Sequence, residues 1–434
     1  MRSMILFVPL LFAPILLSAE PSNWPHWRGP NANGFVARGN PPITWDTKTN
    51  VRWKAPIPGK GSSTPVVWGD KVFVLTAVDT GRKADAADRP APSDRKFIKK
   101  TPVPDTWHQF LVLCFDLKSG KELWRRVAVE RVPHEGHHET HSYAAGSPAT
   151  DGKRLVVSFG SAGVFAYDLD GKLLWKRELG RMETRLGWGE ANTPAIVDDK
   201  VVINWDHEGA SFITALEADT GKTLWKVDRD EVTTWATPLL VKHKGITQVI
   251  VPATNKARSY DLATGKVIWE CGGFTVNCIP SPVVHGDRVI LMSGYRGAMA
   301  KAVPLDSKGD VTNKAAWQHD KATPYVPSPA LAGDRLYFTS TNEPMLTCLD
   351  CRTGKVLLDR ARISDLRQLY ASPVIVVGRI YVVDREGTTV VLEHGEKLKK
   401  LATNRLDEPI DASPVVIGDR LLLRGEKHLY CIAE

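Results

Sequence analysis

The sequence predicts an all-β fold: an eight-bladed β-propeller of four-stranded antiparallel blades, its ring closed by an N-terminal strand. Three observations lead there. A phrase of Ser or Thr, Pro, a short apolar run, a Gly/Asp turn and a second apolar run recurs eight times. Its prolines stand at 65, 148, 194, 238, 282, 329, 373 and 414, separated by 83, 46, 44, 44, 47, 44 and 41 residues. A fixed period in the forties marks a propeller or solenoid rather than a string of unrelated domains. A second phrase follows the first: CFDLKSGKELW (114–124), AYDLDGKLLW (166–175), ALEADTGKTLW (215–225), SYDLATGKVIW (259–269) and, more weakly, CLDCRTGKVLL (348–358). Strand, Asp/Gly turn and strand is a hairpin signature, so each repeat supplies four strands. Third, no repeat shows the 3.6-residue apolar period of a helix.

Taken in chain order, residues 1–19 (MRSMILFVPLLFAPILLSA) read as a secretory signal peptide. Arg2 precedes an apolar run from Ile5 to Leu17, and Ser18-Ala19 offers a small-residue cleavage site. The run is too short for a membrane span, and no other stretch reaches about 18 apolar residues. Residues 20–434 then form a single propeller domain. The strand NVRWKAPI (50–57) is the missing outer strand of the last repeat, which ends at LYCIAE (429–434) one strand short. Pairing these two segments removes both open sheet edges. Trp53 matches Trp124, Trp175, Trp225, Trp269 and Trp317, so six of the 14 tryptophans share one repeat position, where a flat ring packs between blades. The 83-residue gap holds an insertion at 79–108 in the first blade, expected to be a mobile loop because its core is Ala, Pro and alternating charge.

Composition bounds the function. The chain has 434 residues, 43 % hydrophobic and 24 % charged, with a net charge of +8. The basic residues are spread along the chain, so no nucleic-acid partner is expected. Six cysteines are too few for a disulfide scaffold. Cys114, Cys348 and Cys431 occupy a small third-strand slot, and Cys351 falls at a turn, which removes the redox reading of Cys348-x-x-Cys351. Cys271 and Cys278, in one inter-blade loop, are the disulfide candidates.

The short Gly/Asp and TGK turns all fall on one face of the ring, and the irregular loops collect on the other. That irregular face is the expected working surface. Residues just before each Ser/Thr-Pro should ring the channel mouth: Tyr143, Asn192, Trp235, Asn277, Tyr325, Tyr370 and Asp411. Trp188, Glu190, Asp206, Arg229, Arg258 and Arg296 lie on loops near them. Aromatics with Arg, Asn and acids suit a planar, oxygen-rich ligand such as a quinone or a sugar, or else satisfy backbone groups and water at the blade starts. His134, His137, His138 and His141 in HEGHHETH are a candidate metal set for zinc, copper or nickel, with a hydrogen-bonded loop as the alternative.

The AxDxxTGKxxW turn, the eight copies and the closing strand resemble the pyrroloquinoline-quinone (PQQ)-type β-propeller superfamily over about residues 22–434. NWPHWRGPNANGFV (23–36) also resembles the opening segment of exported members. The resemblance implies one of two branches. Quinoprotein alcohol dehydrogenases use PQQ and Ca²⁺; BamB-like propellers bind no quinone and act as scaffolds in outer-membrane assembly. The vicinal Cys–Cys of the first branch is missing, as is the lipidated Cys of BamB. The expectation is an exported, soluble monomer in the periplasm or medium, not a lipoprotein and without a cofactor. It would be a non-catalytic scaffold binding an envelope protein or polymer through the irregular face. The alternative is a PQQ- and Ca-dependent dehydrogenase with Asp206 or Glu190 as base and Arg296 or Arg258 polarising the quinone.

Overall fold

The computed structural model describes residues 23–90 and 101–434; residues 1–22, with the expected signal peptide, and residues 91–100 of the insertion lie outside the described residues. Eight antiparallel sheets follow one another as blades 1 (66–131), 2 (149–177), 3 (195–228), 4 (239–272), 5 (283–319), 6 (330–362), 7 (374–405) and 8 (415–432). Blade 8 owns only three strands from its own stretch of chain. Val51–Pro56 supplies its fourth, antiparallel to His428–Ile432, with Trp53 opposite Cys431. The N-terminal strand thus closes the ring.

Two sequence signals now have physical causes. The first is the tryptophan at the end of each hairpin. Trp53, Trp124, Trp175, Trp225 and Trp317 donate their indole N–H to the carbonyls of Leu117, Leu169, Ala218, Leu262 and Cys351, each in the following blade. Each ring also lies on the turn glycine of that blade: Gly120, Gly171, Gly221, Gly265 and Gly354. Those glycines have φ of +69° to +82°, and an added Cβ would sit 2.6–2.9 Å from the indole. Only glycine meets both demands. Trp269 departs from the pattern because blade 5 lacks the TGK turn. There Gln248 relays, accepting from the Trp269 indole at 3.3 Å and donating to Leu305 O at 2.8 Å.

The second signal is the hydroxyl before each proline. The amide of Thr64 donates to Ser147 Oγ and that of Ser147 to Thr193 Oγ1. Ser281 donates to Ser328, Ser328 to Ser372, Ser372 to Ser413, and Ser413 back to Thr64 Oγ1, at 2.8–3.1 Å. This belt ties neighbouring inner strands around the bore, where proline leaves the next amide without a donor.

The segment 24–36 crosses the bore, and nothing in its pattern announces that. Trp24 exchanges backbone hydrogen bonds with Val67 of blade 1, and Pro25 accepts from Thr150 of blade 2. Asn33 accepts from Leu331 of blade 6 and Gly34 from Ile375 of blade 7. Phe35–Val36 then runs parallel to Val374–Val376. Val67, Thr150, Leu331 and Ile375 all stand two residues after their proline, toward the turn face. One level higher, Arg28 reaches the carbonyls of Pro329 and Pro373 at 2.6 and 3.1 Å. Above that, Trp27 Nε1 donates to Thr237 Oγ1 at 3.1 Å. The bore is therefore plugged from below.

The insertion is shorter as a loop than expected. Its ends extend the second and third strands of blade 1 to Lys71–Lys83 and Thr106–Asp116, paired as far as Lys83 opposite Thr106. Thr80, Thr106 and Trp107 at those ends are strand-favouring residues.

Candidate functional site

With the plug as floor, the bore becomes a blind pit of about 420 Å³ open on the irregular face. Its lining obeys one rule. The third residue before every proline lines it: Ser62, Ala145, Ala191, Trp235, Ile279, Val326, Tyr370 and Asp411. The hydroxyl residue next to the proline lines it in six of the eight blades. Strand alternation explains this over the last three positions, where the first and third before the proline face inward and the second points away. Trp27 forms the floor, while Trp188, Tyr295, Tyr325, His138 and Thr140 arrive on loops.

The rings are ordered. Trp188 stacks with Trp235 at 6.4 Å and 27°, and Tyr295 with Tyr325 at 4.6 Å and 28°. Trp235 is anchored through its indole N–H to Gly189 O, and Thr140 Oγ1 is 3.0 Å from the Tyr370 hydroxyl. Among the described residues Asp411 is the one carboxylate in the lining. Arg385 grips it, Nε to Oδ1 at 2.7 Å, while lying 4.2 Å over the Tyr370 ring. Burial pushes the Asp411 carboxyl above its ordinary range, opposed by Arg385.

Of the residues expected at the mouth, Trp188, Trp235, Tyr325, Tyr370 and Asp411 meet in the pit. The others are elsewhere. Tyr143 lies beneath the histidine loop, edge-on to His137 at 4.6 Å, its hydroxyl donating to Glu135 O. Asn192, an even position, turns away to Asn204 O. Asn277 is buried with a left-handed φ of 57°. Arg258 is held by Glu231, Asp230 and Glu270. Arg296 is exposed on the rim, 5.4 Å from the Tyr295 ring.

Neither acid proposed as a base is placed to act in the pit. Asp206 and Arg229 form a fully buried pair, Nε to Oδ1 at 2.7 Å and Nη2 to Oδ2 at 3.0 Å, and Arg229 also reaches the Tyr260 hydroxyl. Glu190 accepts from the Ser161 amide and hydroxyl at 2.5 and 2.7 Å in a small cavity beneath the loop. Burial raises its carboxyl to about 8.

The histidines do not converge on a metal, which corrects that expectation. His134 Nε2 sits 2.6 Å from Met182 O, and His137 Nδ1 2.7 Å from His138 O. His138 Nδ1 meets Thr140 Oγ1, and His141 Nδ1 meets Ser142 O. Three imidazoles meet the loop's own polar groups and His134 meets Met182 of the next loop, while burial pushes His141 down to about 4. Among the described residues no group of three or more His, Cys, Asp or Glu is arranged to hold a metal. The expected Cys271–Cys278 disulfide is also corrected: both are free and buried, with Cys271 Sγ facing Gly272 O and Cys278 Sγ facing Met292 O.

Sequence reasoning missed Trp27, Tyr295, Thr140 and Arg385. The three-before-proline rule was available in the repeat itself. Trp27, by contrast, reaches the pit only through a contact spanning 210 residues.

The family described as "Outer membrane protein assembly factor BamB" matches residues 108–359. No curated protein matches. Among solved structures, BamB from Moraxella catarrhalis is similar at TM-score 0.54 and 17 % identity, over 83 % of this chain and 98 % of that one. A europium-containing methanol dehydrogenase gives TM-score 0.62 at 11 % identity, over 95 % and 91 %. The quinohemoprotein alcohol dehydrogenase of Comamonas testosteroni gives 0.51 at 13 %, over 96 % and 81 %. At these identities the structures share the fold alone. The family match covers more than half of the sequence, and the chain belongs to the BamB family of PQQ-type propellers.

Proposed function

We propose that this protein is an exported, non-catalytic binding propeller that holds an envelope protein or polymer on its irregular face, with the aromatic pit as its anchor. The observation that carries this reading is the pit itself: a blind cavity walled by half-buried rings on the face that gathers the loops. Exposed rings on a rigid scaffold provide binding area at little entropic cost. The family match and the likeness to BamB support a scaffold role.

The donor set of the pit bears on the dehydrogenase alternative. PQQ carries three carboxylates and works with a bound Ca²⁺. Among the described residues no lysine or arginine lines the pit, and the single carboxylate there is engaged by Arg385. These residues do not fit that cofactor, and no step is derived through it.

A photo-crosslinking residue at Arg296, on the rim, should yield discrete envelope adducts. The same residue at Asp287, on the turn face, should not. Alcohol-dependent dye reduction by the purified protein supplied with PQQ and Ca²⁺ would overturn the reading.

A further inference from the structure

Three properties of the pit select a chemical class of ligand. The first is its surface. Trp27, Trp188, Trp235, Tyr295, Tyr325 and Tyr370 all line it and are all half-buried, so apolar ring surface remains open to water there. Between the rings stand polar groups: the hydroxyls of Ser62, Thr140 and Thr193 and the Asp411 carboxylate. A sugar ring has the matching pattern, an apolar C–H face bordered by hydroxyls. Aromatic platforms take the face and short polar side chains take the rim.

The second property is charge. Asp411 is paired with Arg385 at 2.7 Å, and burial pushes His141 down to about 4. An anionic ligand would leave water for a lining that, among the described residues, holds no lysine or arginine, and would meet the Asp411 carboxylate there. A neutral ligand meets no such penalty.

The third property is shape. The plug closes the turn side, with Arg28 tied to blades 6 and 7 and Trp27 to blade 4. A polymer cannot thread through; only a chain end can enter. The volume of about 420 Å³ lies within the range of small-ligand sites.

We infer that the pit binds the terminal rings of a neutral glycan. The inference rests on the pit being the binding site of the proposed scaffold, but it does not require a protein partner. The test is titration of the purified protein with maltotriose, cellotriose and triacetylchitotriose, followed by tryptophan fluorescence and calorimetry. Trigalacturonate serves as the anionic control, and a cyclodextrin supplies rings without an end.

At least one neutral trisaccharide should bind, while trigalacturonate and the cyclodextrin do not. Tyr325→Ala and Trp235→Ala should each weaken binding about tenfold or more, and Trp235→Phe should retain most of it. A thermal melt of each variant separates lost binding from lost folding, and Tyr325→Ala, which leaves the Trp235–Gly189 hydrogen bond in place, stands in if Trp235→Ala unfolds. Failure of all three neutral sugars, or equal binding of the anionic or cyclic probe, overturns the inference. If sugars fail while Arg296 crosslinks persist, the scaffold reading stands and the glycan reading alone falls.

Discussion

Glu190 shows what burial does to one carboxyl. Desolvation lifts it from 4.5 to about 8, although the Ser161 amide and hydroxyl oppose the shift. The folded state keeps a proton that the unfolded chain releases, so this group's stabilisation is complete below about pH 4.5 and is lost as pH rises to about 8. His26 and His141 act on the other side. Burial holds them near 3 and 4, so they oppose folding as pH falls below their ordinary 6.5. Glu190→Gln should therefore gain urea stability relative to the parent at pH 9 but not at pH 4. An equal difference at both values would refute the assignment. Glycine offers a second residue-scale test. Gly171→Ala places a Cβ 2.8 Å from Trp124 at φ +82° and should cost about 1–3 kcal/mol. Gly418→Ala, at φ +56° with open space around it, should cost only the left-handed term of about 1–2 kcal/mol. Paired thermal melts compare them.

At the scale of elements, the hairpins were legible because their alternation and turn chemistry are local. Val51–Pro56 was legible too, because Trp53 repeats a position seen elsewhere in the chain. The plug was not, since 24–36 carries a single two-residue strand and is held by carbonyls of distant blades. The site was half legible for the same reason. Trp235, Tyr370 and Asp411 sit in register three before a proline, whereas Asn192, two before, points away. Arg28→Ala should cost about 2–5 kcal/mol by stranding the carbonyls of Pro329 and Pro373. It should also weaken any ligand of the pit, because Trp27 loses its neighbour's anchor. Calorimetric unfolding measures the first effect, and titration of the folded variant the second.

For the whole molecule, stability is shared around a ring. Trp53 is 8 % exposed and bonded to Leu117 O, joining blade 8 to blade 1. Trp53→Ala should cost about 3–5 kcal/mol, read from the denaturant midpoint. Deleting residues 20–57 should do far more, removing the closing strand and the plug together. Size-exclusion chromatography should then show aggregates, because two sheet edges become templates; a monomeric truncation would contradict closure.

The closing pair also sets a schedule for the newborn chain. Val51–Pro56 is made long before its partner His428–Ile432. At roughly 5–20 residues per second of synthesis, the first strand waits tens of seconds for its mate. Until the final hairpin appears, every blade already built is an unfinished arc with a free end. The ring is therefore completed only once His428–Ile432 has emerged, and whatever escorts this chain must guard that early edge until then.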